Sequence, residues 1–317
     1  MIDRAVDEHV LPRVTAAAEA AAALAETAEA DCAPDSEALR AAYHAGFDAW
    51  IAASHLQFGP ALEDNRGFAM GFWPDPRGAG RRAIAGLISA ENPIGLDPAG
   101  YAEVSVAARG YHALEAMLFN EEVAGSGTPE YRCALVRTMA SDTAATAAAI
   151  RDGWLGGHAD AMRSAGAAGN AAYPGEAVAL RALFGAASTG LQFTSDTRLA
   201  RPLGTFERAY PLRAEARRSE RSLRHVALSA DSAGELALIL AGPAGAEVED
   251  EIQRHRDRIA ALIERLDDPT LAGVATPQGR IRVEAVRAQV DGLRRTLALD
   301  VAPVLGVAAG FNALDGD

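Results

Sequence analysis

The 317-residue sequence contains no lysine, so all 30 of its basic residues are arginine. Against 43 acidic residues they leave a formal charge of −13, with an isoelectric point near 5.0. A surface that acidic repels phosphate backbones and anionic headgroups, which argues against nucleic acid and membrane surfaces as partners and leaves cations as plausible ones. The missing lysine accompanies a very high alanine content and reads as genome composition rather than function. Cysteine is nearly absent too. Cys32 and Cys133 are too few for a metal cage or a disulfide framework, and neither lies in a Cys-x-x-Cys pair. Two readings stay open for them: a single disulfide in an oxidising compartment, or two separately buried thiols. No stretch reaches the roughly 20 uninterrupted apolar residues of a membrane span. The Ala-rich run 15–30 is broken by Glu19, Glu26 and Glu29. The N-terminus has no basic region followed by an apolar one, so as written it is not a secretory leader. That implies a cytosolic protein or a chain that starts after its leader.

What remains is ordinary globular composition, 49% hydrophobic and 23% charged, in a chain long enough for two domains. Apolar residues recur at three- and four-residue spacing over 6–30, 36–57, 101–120, 129–154, 175–194, 212–229, 248–266 and 281–299, and no segment reads as a strand. Pro34-Asp35-Ser36-Glu37, Thr128-Pro129-Glu130 and Pro174-Gly175-Glu176 supply helix starts. The expected fold is therefore all-α, with two helical-bundle domains packed together: 1–125, carrying a long ordered loop at 58–98, and 126–317. The loop is rich in glycine and proline, and Phe58, Phe68, Phe72 and Trp73 favour order in it; a short helix is expected around 82–90. The polar, Gly-containing stretch 121–127 marks the boundary. Two halves of helical-bundle type would suit an old duplication.

The segment 107–119 is apolar nearly all round, as a buried helix is, yet it holds His112 and Glu115. Three residues apart, the two side chains share a face and can reach one point. A buried imidazole and carboxylate must be paired or bound to a cation. Either they hydrogen-bond each other and a neighbouring helix, or they ligate a metal such as zinc or iron. His-Glu-x-x-His is absent, and the order is the reverse of a di-iron Glu-x-x-His, so further ligands must come from elsewhere. A second segment, 211–225, reads as a helix with Glu215, Ser219 and Ser222 on one face and Arg213, Arg217, Arg221 and Arg224 on another. It is either a polar pocket wall or a solvated helix laced by ion pairs. No serine sits in a Gly-x-Ser-x-Gly elbow. The tail carries Asp315 and Asp317, which either stay in solvent or dock to supply carboxylates. His44 and His55 are expected to be packing or surface residues.

Gly110-Tyr111-His112-Ala113-Leu114-Glu115 matches the Gly-x-His-x-x-Glu signature of the imelysin family, which the sequence resembles over nearly its whole length. The other matching blocks, in order, are Ala49-Trp50 with Phe58-Gly59-Pro60, then Phe72-Trp73-Pro74-Asp75, then Arg213/Glu215/Arg218-Ser219/Ser222, and finally Gly310-Phe311-Asn312 with Asp315-Gly316-Asp317. The resemblance implies two bundle-like domains with a pocket between them around His112 and Glu115. Gly110, Trp73, Arg213, Glu215, Arg218, Ser219 and Ser222 would belong to that pocket. It implies export to the periplasm or outer membrane, and a divalent or ferric ion, or a small chelate, as ligand. It implies as function either a metal-binding component of an iron-uptake system or a metallopeptidase; a scaffold that binds no metal is the third reading. The cupredoxin domain of some iron-uptake relatives has no counterpart here.

Overall fold

A computed structural model describes residues 1–307; Gly310, Phe311, Asn312, Asp315 and Asp317, where the docked-tail expectation falls, lie outside the described residues. Among the described residues there are helices and turns and no strand, as the periodicity predicts. The main helices are α1 (Leu11–Ala30), α2 (Glu37–Ala53), α3 (Ala79–Ser89), α4 (Gly110–Phe119), α5 (Pro129–Gly153), α6 (Glu176–Phe193), α7 (Ser222–Ala241), α8 (Ala246–Leu266) and α9 (Pro277–Thr296). Several start where the sequence places a cap. Thr276 Oγ1 accepts from Gly279 N with Pro277 in the first turn, Thr128 Oγ1 accepts from Tyr131 N ahead of Pro129, and Ser36 Oγ accepts from Leu39 N.

The chain divides into two compact units. The first comprises Arg13–Trp50 and Gly59–Gly153. The second comprises Met1–Pro12, Ile51–Phe58 and the chain from Trp154 onward. This division does not follow a cut at 125/126. The reason lies in α5, which is tied to earlier residues by a disulfide between Cys32 and Cys133, 5.1 Å apart at Cα, and by a forked ion pair from Arg109 to Asp142 at 2.9 and 2.8 Å.

In the first unit α4 packs on α5, and the core gathers Leu24, Tyr43, Phe47, Ile84, Tyr111, Leu114, Met117 and Met139. Within the long loop, Asp75 caps the start of α3 through Ala79 N and Gly80 N at 2.9 and 2.8 Å. In the second unit α6, α7, α8 and α9 pack in succession around Leu183, Leu236, Ile252, Val286 and Leu293. The helix Ser222–Ala244 is long and apolar enough to cross a membrane, with mean hydropathy 1.2, but 61% of its apolar window is buried within the fold. It is the central helix of a core.

Three expected helices change. The one at 101–120 shrinks to α4, because Gly110 at φ +69° cannot continue a helix from the short 3-10 turns before it. The one at 36–57 stops at Ala53, and the residues after it, including His55, turn inward. The stretch 211–221 is a 3-10 turn followed by irregular chain, and α7 begins only at Ser222. Ala216 and Glu220 there hold φ of 46° and 58°, in the left-handed region that disfavours side chains. Local helix propensity loses to burial of Glu215 against a charged partner.

Candidate functional site

Gly110 opens α4, and its place in the motif is fixed by the backbone. A Cβ there would lie 2.1 Å from the carbonyl oxygen of Ala69 and 2.4 Å from that of Met70, besides the positive φ. Only glycine lets α4 start this close to the preceding loop. The two titratable positions follow on one face: His112 Nδ1 lies 3.9 Å from Glu115 Oε2, with the side chains 13% and 9% exposed. That is beyond hydrogen-bond length and within ion-pair range. The imidazole is framed by rings, with Phe47 edge-on at 5.0 Å and Trp73 stacked at 6.3 Å. Behind it Tyr111 stacks on Phe47 at 4.8 Å, and burial pushes its phenol far above the usual value. An ion bound at about 2.0–2.2 Å to both donors would hold them about 3.4 Å apart at a tetrahedral angle, so the pair fits a metal after a small closing movement. Among the described residues no three histidine, cysteine, aspartate or glutamate side chains converge in a way that would hold an ion. Among the described residues the donors at this point are His112 and Glu115.

The other expected site residues lie in the second unit. Glu215, 4% exposed, accepts from Arg198 Nε at 2.7 Å, and His225 Nδ1 stands 3.3 Å from the same oxygen. Ser222 Oγ donates to the Glu215 carbonyl and Ser219 Oγ donates to that of Ala216, so the buried hydroxyls brace the turn that carries Glu215. Glu215, Ser219 and Ser222 are thus neighbours, brought together by an irregular turn and not by helical spacing. Arg213 and Arg218 are exposed, and Arg213 stacks on Tyr210 with its guanidinium carbon 3.9 Å from the ring centre.

A third polar cluster was not visible in the sequence. His9 is fully buried, its Nδ1 is 2.9 Å from Glu235 Oε2, and its Nε2 is 2.8 Å from Nε2 of His55. In a neutral His9 whose Nδ1–H donates to Glu235, Nε2 accepts and His55 Nε2–H donates. His55 is therefore a core group. Its Cβ sits where a side chain on Gly190 of α6 would have to go, 2.6 Å away. A separation of 46 positions between the two histidines leaves no local spacing to read. The backbone, not the sequence, marks it: His9 lies in a π-helical segment, Val6–Val10, and Arg198 lies in another, Thr194–Leu199. Such insertions re-aim a side chain by one residue and recur at functional positions.

The imelysin family model, named for peptidase family M75, matches residues 10–297. No curated protein matches the sequence. Two solved structures resemble the fold. An imelysin-like protein from Psychrobacter arcticum 273-4 has a TM-score of 0.81 and 18% identity, covering 98% of this chain and 96% of its own. A candidate iron-regulated protein A precursor from Parabacteroides distasonis ATCC 8503 has a TM-score of 0.78 and 14% identity, covering 96% and 92%. The family model spans the helix that carries Gly110, His112 and Glu115, which makes this an imelysin-like protein. The chain belongs to the imelysin family.

Proposed function

We propose that this protein binds a metal ion delivered as a small chelate, in the context of iron uptake, with His112 and Glu115 as its own donors. The observation that carries the reading is the pair itself: an imidazole and a carboxylate on one face of a buried helix, 3.9 Å apart and framed by Phe47 and Trp73. Two donors are too few to cage a bare ion, but they can complete the shell of an ion whose other positions a chelator fills. Trp73, half-buried and stacked beside the imidazole, would give such a ligand an apolar face. The iron-regulated relative from Parabacteroides distasonis supports the iron context. Export supports the same reading, since a disulfide such as Cys32–Cys133 persists in oxidising compartments and that relative is a precursor.

The alternative is a metallopeptidase, which needs firm protein ligands, an open water position and a general base. The donor count on α4 favours binding. Calorimetric titration with zinc(II) and with iron(III) citrate tests the proposal. His112→Ala should weaken binding at least about tenfold, or about 1.4 kcal/mol, with helical content unchanged. Equal affinities, or no binding by the parent protein, would overturn it in favour of a scaffold. Chelator-sensitive cleavage of an unstructured substrate that vanishes in Glu115→Gln would promote the peptidase.

A further inference from the structure

The second unit carries a short loop at 204–213 whose chemistry departs from the rest of this acidic chain. Phe206 is 91% exposed and Leu212 is 77% exposed, so two large apolar side chains stand in solvent within seven residues. The loop is rigidly held. Thr205 N donates to the Arg208 carbonyl at 3.0 Å, which makes a turn with Phe206 and Glu207 at its tip, and Tyr210 N donates to the Pro202 carbonyl at 2.8 Å. Arg280 fixes it from α9, donating to the carbonyls of Leu203 and Thr205 at 2.9 Å each. Presenting an apolar tip on a braced turn costs little further ordering when the tip meets a partner.

The charge around that tip is positive. Arg208 and Arg213 both lie over the ring of Tyr210, at 5.1 and 3.9 Å, and neither guanidinium has a carboxylate within ion-pair range among the described residues. Arg201 is close enough to Arg213 for that charge, after burial, to lower its pKa. The one acid of the loop, Glu207, is held ionised by the loop's own backbone, by Thr205 and by Arg280. Three arginines thus gather beside two exposed apolar side chains in a protein of net charge −13.

We propose that loop 204–213 docks on an anionic phospholipid surface, with Phe206 and Leu212 entering the acyl boundary and Arg208 and Arg213 meeting headgroup phosphates. Exposed Phe206 and Leu212 on a loop that also carries Arg208 and Arg213 over Tyr210 match the two demands of an interface, apolar burial and attraction to anionic lipid. Tyr210 sits at the polar boundary where amphipathic rings are favoured. The acidic surface of the rest of the chain does not keep the loop from a membrane, because fields between exposed charges fade within about 8 Å at physiological salt and the loop's local charge is of the opposite sign.

The test is co-sedimentation of the full chain with vesicles of phosphatidylcholine alone and of phosphatidylcholine containing phosphatidylglycerol. Binding is expected only to the anionic vesicles, and it should fall as salt rises. Phe206→Asp with Leu212→Asp should abolish it, while Arg208→Gln and Arg213→Gln should each weaken it about fivefold. These positions are exposed, so the melting temperature should stay that of the parent. Absence of binding, equal binding to neutral vesicles, or full binding by the Phe206→Asp/Leu212→Asp protein would overturn the proposal. Competition by inorganic phosphate with no requirement for Phe206 would replace it with a soluble-anion site. A Tyr210 fluorescence change that appears only on adding a purified acidic protein, and never with vesicles, would also overturn it.

Discussion

The two units bury polar groups in different ways. The first relies on cross-links and rings: a disulfide joins Cys32 to Cys133, a forked ion pair joins Arg109 to Asp142, and Tyr43, Phe47, Tyr111 and Phe119 pack edge-on, tilted or stacked around α2 and α4. The second has no disulfide among its described residues and instead interrupts its helices. All four π segments, Val6–Val10, Trp154–His158, Thr194–Leu199 and Leu297–Val301, belong to it. Three of them present a buried or half-buried polar side chain to a partner: His9 to His55, Arg198 to Glu215, and His158 to Tyr173 at 2.8 Å. Helix irregularity in one unit does work that covalent closure does in the other. A π turn places one polar group accurately, whereas a cystine restrains a long stretch of chain without specifying any single contact.

The largest effect that would break this comparison is loss of the disulfide. Closing a loop of 101 residues restricts the unfolded chain by about 4.7 kcal/mol in the chain-entropy treatment, and Cys32→Ser with Cys133→Ser should lower unfolding free energy by that order. Denaturant unfolding checks the magnitude. Hydrogen exchange checks the place: protection should fall across α4 and α5 more than across α6 and α7, and an equal fall would contradict the division of labour.

Next in size is Glu215→Gln, which leaves the Arg198 guanidinium, 5% exposed, facing a neutral amide. Removing one member of a buried pair typically costs about 3–5 kcal/mol, and an isosteric amide that retains a hydrogen bond should fall at the lower end. A change in thermal stability below about 0.5 kcal/mol would mean that Arg198 is well solvated and the pair structurally idle. The smallest effect belongs to His55→Phe. It removes the hydrogen-bond partner of His9 Nε2 while keeping ring volume, and should cost about 1–2 kcal/mol, the loss expected when a buried polar group goes unmet. Gain of stability would show that the two histidines are held together at a cost that something other than folding justifies.

Much of this molecule is legible in the sequence because its signals are local. The 3.6-residue period, the caps at Ser36 and Thr128, and the spacing of His112 and Glu115 each lie within one or two helical turns. What was not legible depends on contacts far apart in the chain or on geometry without a composition cue. The Arg- and Glu-rich stretch 211–221 has helical spacing, yet Ala216 and Glu220 adopt left-handed backbone to bury Glu215. A π segment changes the phase of a helix by one residue without any marker residue, so the direction of His9 could not be read from the period around it. The cysteines pose the same difficulty: their count allows a bond, but only the fold brings their Cα atoms within 5.1 Å.

The bond between Cys32 and Cys133 also sets an order of events. During synthesis at about 5–20 residues per second, roughly 5–20 s pass between the appearance of the first sulfur and that of the second, and through that interval the earlier thiol has no intramolecular partner. With two cysteines in the sequence, only one intramolecular pairing exists, so no wrong isomer can form and none needs to be reshuffled. The hazard is instead between chains: a waiting thiol on one nascent molecule can meet its counterpart on another. Crowded production should therefore yield covalent dimers before it yields misfolded monomers.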